Sequence, residues 1–469
     1  MRNALLVPFV ALAGCAAGPD YVRPQIEAPV QFKEMQGWRQ AEPRDALPRG
    51  SWWAMFGDRE LDALMARVDL SNQTLRAAEA RFRQSRALAD QARAALFPML
   101  SANASATRSK SPSLSNQPSF ALGAVNNYNV ALNTSWELDL WGRVRRSVEA
   151  SEAGWQASAA DLEAARLSAY AALAQNYFAL RVADATRQVL EDTVAAYERT
   201  LELTRNRYAA GVVARVDVVQ AEVQWKSAQA QLIDVGVERA QLEHAIALLV
   251  GEAPAAFSIE RAPFAASMPA IPVGLPSELL QRRPDIATAE RNVAAANARI
   301  GVAQAAFFPA VTLSGAAGFR STDWASLLTT PSRFWSLGAA LAQAVFDAGL
   351  REAQKEQAIA VYDEDAATYR QTVLTAFQEV EDNLAALRIL EEEARLQDEV
   401  VQAARHALEL TTNQYKAGVV SYLNVISAQT TLLTNERTAA SLLGRRLTAS
   451  VALVKATGGG WSAQSLPRR

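Results

Sequence analysis

The sequence predicts an α+β membrane protein: a trimeric, 12-stranded β-barrel with four strands per chain, continued by an α-helical barrel of long coiled-coil hairpins, with internal duplication. Three observations carry that expectation. Residues 127–140 alternate without a break, residues 148–208 keep a helical spacing of apolar side chains, and the whole arrangement returns in the second half of the chain.

In the alternating stretch Asn127, Asn129, Ala131, Asn133, Ser135, Glu137 and Asp139 fall on one face, and Tyr128, Val130, Leu132, Thr134, Trp136, Leu138 and Leu140 on the other. Soluble strands run about 5–6 residues, whereas a strand tilted across a bilayer needs about 9–11, with an apolar outer face and a polar lumen face. The length favours a membrane strand whose polar set lines a lumen. After Gly142 the period changes, and Tyr170, Leu173, Tyr177 and Leu180, then Leu190, Val194, Tyr197, Leu201, Thr204 and Tyr208, form a coiled-coil seam. No proline interrupts the chain between Pro118 and Pro254. A helix over 148–208 measures about 90 Å at about 1.5 Å per residue, so it projects from the membrane. A cytosolic coiled coil is the alternative, and it leaves the preceding strand unexplained.

Of the 469 residues half are hydrophobic, and 47 Lys plus Arg nearly balance 49 Asp plus Glu, which gives no electrostatic reason to expect a nucleic-acid partner. No apolar run approaches the roughly 18 residues of a spanning helix, so any span is built of strands. At the N-terminus Arg2 precedes an apolar run over 4–13, suited to a secretory signal, and residues 1–14 are read as a signal peptide. The run ends in Leu12-Ala13-Gly14-Cys15, which resembles the bacterial lipobox, whose cysteine receives lipid through its sulfur. Cys15 is the only cysteine, so no disulfide forms within the chain, and a covalent lipid on Cys15 is the one expected non-protein group. Ala16 after it resembles lipoproteins sorted to the outer membrane.

A lipidated arm over 15–58 follows, where Pro19, Pro24, Pro29, Pro43 and Pro48 forbid continuous helix. The first repeat covers 59–253. It opens with one helical pattern through Leu61, Leu64, Val68, Leu75, Phe82, Ala89 and Leu96, which Pro98 ends. Alternation over 99–109 gives a second strand, and a loop over 110–126 joins it to the first as a hairpin over about 97–141. The long helical hairpin spans about 147–250, with Gly211 at its tip as a helix C-terminal glycine. Residues 254–277 are a proline-rich linker.

The second repeat covers 278–458, with a helix, a hairpin over about 307–347 including a strand over 335–346, and a helical hairpin over about 351–457. A tail over 459–469 closes the chain. Ala289-Glu290 through Phe308-Pro309 echo Ala78-Glu79 through Phe97-Pro98 at a shift of 211, and Phe377, Val380, Leu384 and Leu387 stand 207 residues after Tyr170, Leu173, Tyr177 and Leu180. The tip Leu-Thr-Xaa-Asn-Xaa-Tyr-Xaa-Ala-Gly-Val-Val occurs at 203–213 and at 410–420, with Gly418 matching Gly211. Four strands cannot close a barrel, which needs about eight. Three chains give about twelve and an aqueous lumen, whereas two give about eight and little lumen.

The assembled features resemble the TolC/OprM-like outer-membrane channels, the lipidated efflux branch in particular. The motifs are Gly18-Pro19-Asp20-Tyr21-Val22-Arg23-Pro24, Trp52-Trp53-Xaa-Xaa-Phe56-Gly57-Asp58 with Leu61, Ser135-Trp136-Glu137-Leu138-Asp139-Leu140-Trp141-Gly142-Arg143, and Arg283-Pro284-Asp285-Ile286. The resemblance implies a homotrimer whose β-barrel crosses the outer membrane among its lipids. Its α-barrel would cross the periplasm to meet a periplasmic adaptor protein and an inner-membrane pump of the RND type. Transport is then passive. No enzyme is expected: His244 and His406 stand alone on their helices without a second ligand at metal spacing, and phosphate loops and nucleophile elbows are missing from the sequence.

By the same resemblance Tyr415 and Asp217 match an inter-helix hydrogen bond that holds the periplasmic entrance shut. The alternative is that Tyr415 is another seam residue and Asp217 a helix-start residue. Leu423 matches a position that narrows the pore as an apolar constriction. Asn424 and Ser427 stand where several relatives carry pore-facing acids, which puts a cation-binding ring in doubt. Three functions stay open: the exit duct of a tripartite small-molecule efflux pump, a duct for type I secretion of proteins or peptides, and a lipid-anchored periplasmic coiled-coil scaffold without a pore.

Overall fold

The structure, a computed structural model, describes residues 16–35, 51–110, 123–262, 268–269, 271 and 276–467. The signal peptide and Cys15, residues 36–50 of the arm, most of the expected 110–126 loop and part of the linker lie outside the described residues. Eight helices and four strands follow in order among the described residues. They are α1 (Arg59–Ser71), α2 (Gln73–Ala94), β1 (Met99–Ser109), β2 (Val125–Leu138), α3 (Arg143–Ala209), α4 (Arg215–Leu249), α5 (Pro276–Arg282), α6 (Pro284–Ala305), β3 (Ala310–Ser321), β4 (Arg333–Ala342), α7 (Leu350–Lys416) and α8 (Tyr422–Ala456).

The single helix expected before each hairpin is two helices. Asn72 breaks the first: its backbone is extended, its Oδ1 accepts from Leu75 N at 3.0 Å, and its Nδ2 donates to Leu249 O at 2.7 Å. A side chain that caps a new helix and fixes it to the end of α4 outweighs the continuing apolar period. Arg283, 211 residues later, occupies the corresponding break, and Pro284 opens α6 where a missing N–H costs nothing.

The strands form one antiparallel sheet in the order β1-β2-β3-β4, so the two repeats join through β2 and β3. Leu132 pairs with Ala317 and Ala317 with Trp335, while Asn133 pairs with Ala316 and Ala316 with Ser336, so polar and apolar faces stay in register across the sheet. Leu100, Leu132, Trp335, Leu337 and Leu341 are exposed on the apolar face, a belt that water alone would penalise. β4 ends at Ala342, short of the expected residue 346, because Asp347 turns the chain into α7: its carboxylate accepts from Gly349 N at 3.2 Å and Arg351 Nε at 2.5 Å. Among the described residues β1 and β4 are unpaired edges, which a lone chain leaves open.

Below the sheet α3 and α7, each 67 residues, run about 100 Å at about 1.5 Å per residue. The seam residues Tyr170, Leu173, Tyr177, Leu180, Leu190, Tyr197, Leu201 and Thr204 are buried, whereas Tyr208 is exposed at the tip. Midway along, the seam meets Trp52, Trp53, Phe56, Leu61 and Val68 and, from the other repeat, Val380, Leu384 and Val451. Each such side chain contributes about 1.5–3 kcal/mol through burial. The aromatic run before α1 therefore plugs the helical layer, and Asp58 after it caps α1 through Glu60 N and Leu61 N while accepting from Tyr177 Oη at 2.6 Å.

The arm crosses the junction of sheet and helices. Ala17 N donates to Trp141 O at 2.8 Å, buried Arg146 donates to Ala17 O at 3.2 Å and to Asp20 at 2.8 Å, and Asn297 donates to Pro19 O at 2.9 Å. Gly18 has φ +93°, and a Cβ there would lie 2.4 Å from Gly301 Cα, so only glycine lets the arm lie flat on α6. Farther on, Tyr21 Oη donates to Glu290 at 2.6 Å and Arg23 Nε to Tyr369 Oη at 3.0 Å.

Candidate functional site: the lumen and the hairpin tips

Two regions bear on passage through the molecule. The first is the polar face of the sheet. Asn127, Asn129, Asn133 and Ser135 share it on β2, and their partners on β1 are Thr107, Ser105, Ser101 and Met99. Glu137 belongs to the same face, but its carboxylate is engaged: Arg143 Nε and Nη2 donate to its two oxygens at 2.8 and 2.6 Å. A bidentate guanidinium cancels the charge that Glu137 would otherwise show to a lumen. Asp139 corrects the sequence reading more fully. It lies beyond the end of β2, and its carboxylate accepts from Val144 N at 2.9 Å and Arg145 N at 2.8 Å, capping α3 instead of lining the barrel. The alternation of polar residues continues past the strand, because a cap wants the same residue type that a lumen does.

The second region is the far end of the helical hairpins. Gly211 and Gly418 have φ of +70° and +78°. At each, the glycine N–H bonds back to the tyrosine carbonyl three residues before, Gly211 to Tyr208 at 2.9 Å and Gly418 to Tyr415 at 3.0 Å. The following valine N–H bonds to Arg207 O and Gln414 O, each at 2.9 Å. This double closure ends a helix in the left-handed region that glycine enters freely.

Between the tips, Tyr415 is buried and packs on Tyr422 at 5.4 Å between ring centroids, with Leu201, Ala221 and Val425 around them. Its hydroxyl has no hydrogen-bond partner among the described residues, so the Tyr415–Asp217 bond implied by the resemblance is not formed within this chain. Within this chain Tyr415 packs in the apolar cluster of the tips, and Asp217 sits half-buried in the first turn of α4. Burial, then the phenols of Tyr415 and Tyr197 and the carboxylate of Asp217, push the Tyr422 hydroxyl above its ordinary range. Leu423, Asn424 and Ser427 are all exposed on one side of α8, opposite buried Tyr422, Val425 and Gln429.

Sequence reasoning missed Arg207. Its Nη1 donates to Tyr415 O and Lys416 O, each at 3.0 Å, and its guanidinium lies 4.7 Å from the Tyr415 ring centroid. One side chain at the end of α3 thereby holds the end of α7. The signal was present in the tip repeat, where Arg207 stands against Gln414 in the other copy and breaks the symmetry.

Comparison with known proteins agrees with this geometry. Residues 64–252 and 275–459 match the family model described as Outer membrane efflux protein. The pyoverdine export outer membrane protein OpmQ of Pseudomonas aeruginosa is 32% identical over 477 residues, covering 100% of this chain and 99% of that protein. The toluene efflux pump outer membrane protein TtgC of Pseudomonas putida is 32% identical over 468 residues, covering 98% of this chain and 96% of that protein. The solved outer-membrane channel OprN superposes with a TM-score of 0.89 at 31% identity, covering 95% of this chain and 100% of that one. The fold is that of the trimeric outer-membrane channels, a β-barrel continued by a helical barrel. A membrane sheet left open at both edges, two 67-residue helices and a family match over both repeats lead to one conclusion: the chain belongs to the outer membrane efflux protein family and is an outer-membrane efflux channel.

Proposed function

We propose that three copies close a 12-stranded barrel and act as the passive, lipid-anchored exit duct of a tripartite pump. A periplasmic adaptor receives the helical tips, and an inner-membrane pump of the RND type supplies the energy. The carrying observation is the four-stranded sheet with an exposed apolar face, a polar face and two unpaired edges. Lipidation of Cys15 is supported by the docking of the next residues: Ala16 packs on Gly142 where sheet meets helix, the level at which an acyl chain enters a membrane. Contact at the tips is supported by Val212, Val216, Val219 and Val223, all exposed at helical spacing around the α3–α4 turn. Asp217 and Tyr415 remain the proposed closure pair, since the buried Tyr415 hydroxyl lacks a partner among the described residues and Asp217 lies on the adjoining helix start. Leu423 would narrow the entrance as an apolar ring, gating by dewetting.

The test is the accumulation of dyes, antibiotics and metal ions in cells with and without the protein, together with a profile of their secreted proteins. Raised accumulation with unchanged secretion is expected. Loss of a secreted protein with unchanged accumulation would transfer the duct to protein secretion.

A further inference from the structure

The barrel's polar face carries two charges among the described residues, Glu137 and Arg320. The rest is uncharged, mostly Ser, Asn, Thr, Ala and Gly. Glu137 is neutralised by Arg143 at the helix end of the barrel. Arg320 lies at the opposite end, one residue before β3 finishes, and it has no ion pair among the described residues. Its guanidinium lies 4.8 Å from the ring centroid of Phe334. The register fixes the face: Arg320 pairs with Asn129, and Phe334 pairs with Gly318, whose other partner is Ala131. Both side chains therefore stand on the lumen side.

The surroundings reinforce this charge. Over 104–128 and 318–336, the loop end of the sheet, the sequence holds Arg108, Lys110, Arg320 and Arg333 against a single acid, Asp323, a net of +3 where the whole chain has −2. Arg333 pairs with Phe319, which pairs with Val130, and Arg108 pairs with Asn126, so both face lipid and Arg320 is the cation of the sheet's lumen face among the described residues. The β1 edge that a neighbouring copy would bring beside β4 presents Ser101, Asn103, Ser105 and Thr107 on that side, with no acid to offset it. A guanidinium braced on an aromatic ring keeps its N–H donors oriented and open. Rings of Arg or Lys are how pores favour anions, and low-dielectric walls focus their field.

We propose that Arg320, braced by Phe334, forms a three-fold ring at the outer mouth that binds the anionic groups of departing molecules: carboxylate, sulfonate or phosphate. This rests on the channel reading above. Its test uses the full chain in intact outer membranes, with a cysteine placed by Ser336→Cys on the lumen face or by Leu337→Cys on the lipid face, and native Cys15 as background. Anionic sulfonatoethyl and cationic trimethylammonioethyl methanethiosulfonates are applied from outside. The Ser336→Cys thiol should favour the anionic reagent, relative to a free thiol, and Arg320→Gln should lower that ratio on the order of tenfold, while Arg320→Lys keeps it. A ratio indifferent to Arg320→Gln overturns the proposal. A reactive Leu337→Cys beside an inert Ser336→Cys would overturn the lumen assignment, and with it the channel reading. Ser105→Cys replaces Ser336→Cys if that variant fails to reach the membrane.

Discussion

Truncating Arg207 to alanine should free the tip of α7 while leaving the rest of the fold intact. Two N–H···O bonds of 3.0 Å reach the last carbonyls of α7, and the guanidinium covers the Tyr415 ring at 4.7 Å. Bonds from a charged donor contribute about 1.5–3 kcal/mol when buried, and the half-exposure of Arg207 takes each down to about 1 kcal/mol. The cation–π contact adds about 0.5–1 kcal/mol. The loss of about 2–3 kcal/mol corresponds to roughly a 30- to 150-fold rise in local opening, at about 1.4 kcal/mol per tenfold. Hydrogen exchange measured in detergent-solubilised assemblies reads this directly. The amides of Gly418 and Val419, bonded to Tyr415 O and Gln414 O, should exchange faster by that factor, and those of the Leu173–Leu180 region should not change. Arg207→Lys should recover part of the protection, since an ammonium reaches one carbonyl but cannot stack as a plane. Unchanged exchange at residues 418 and 419 in Arg207→Ala would refute the idea that this side chain ties the two hairpins together.

Three further outcomes follow from the geometry. Gly18→Ala places a Cβ 2.4 Å from Gly301 Cα at φ +93°, a strain of at least about 1–2 kcal/mol from the left-handed backbone alone; limited proteolysis should cut the arm faster, with the barrel still assembled. Arg143→Gln leaves Glu137 unpaired on the lumen face; reversal potentials in reconstituted bilayers should move toward cation preference, with stability changed by less than about 1 kcal/mol because the pair is partly exposed. Asp217→Ala should raise the conductance of the resting channel, and a closed-state conductance equal to that of the unmutated protein would remove Asp217 from the gate.

Much of this architecture was legible before any coordinates, because period-2 and period-3.6 burial leave different marks. The alternation from Asn127 to Ser135 became a strand face, the seam from Tyr170 to Thr204 became a buried stripe, and the duplicated tip became two identical left-handed turns. The readings that failed did so where one residue type serves two purposes. Asp139 satisfies the polar alternation and also caps a helix; Asn72 fits a helix pattern and also breaks it. Composition along the chain does not distinguish these.

By itself the sequence determined the classes of element, the repeat and the lack of any spanning helix, all read from residue pattern along the chain. Partnership across the chain was decided by tertiary structure alone. Glu290 accepts from Tyr21 of the arm, 269 residues before it, Tyr415 is held by Arg207 from 208 residues away, and Arg320 has no ion pair among the described residues. The reason is physical: a charge acts through what lies within a few ångströms of it, and that distance is set by how the helices and strands pack.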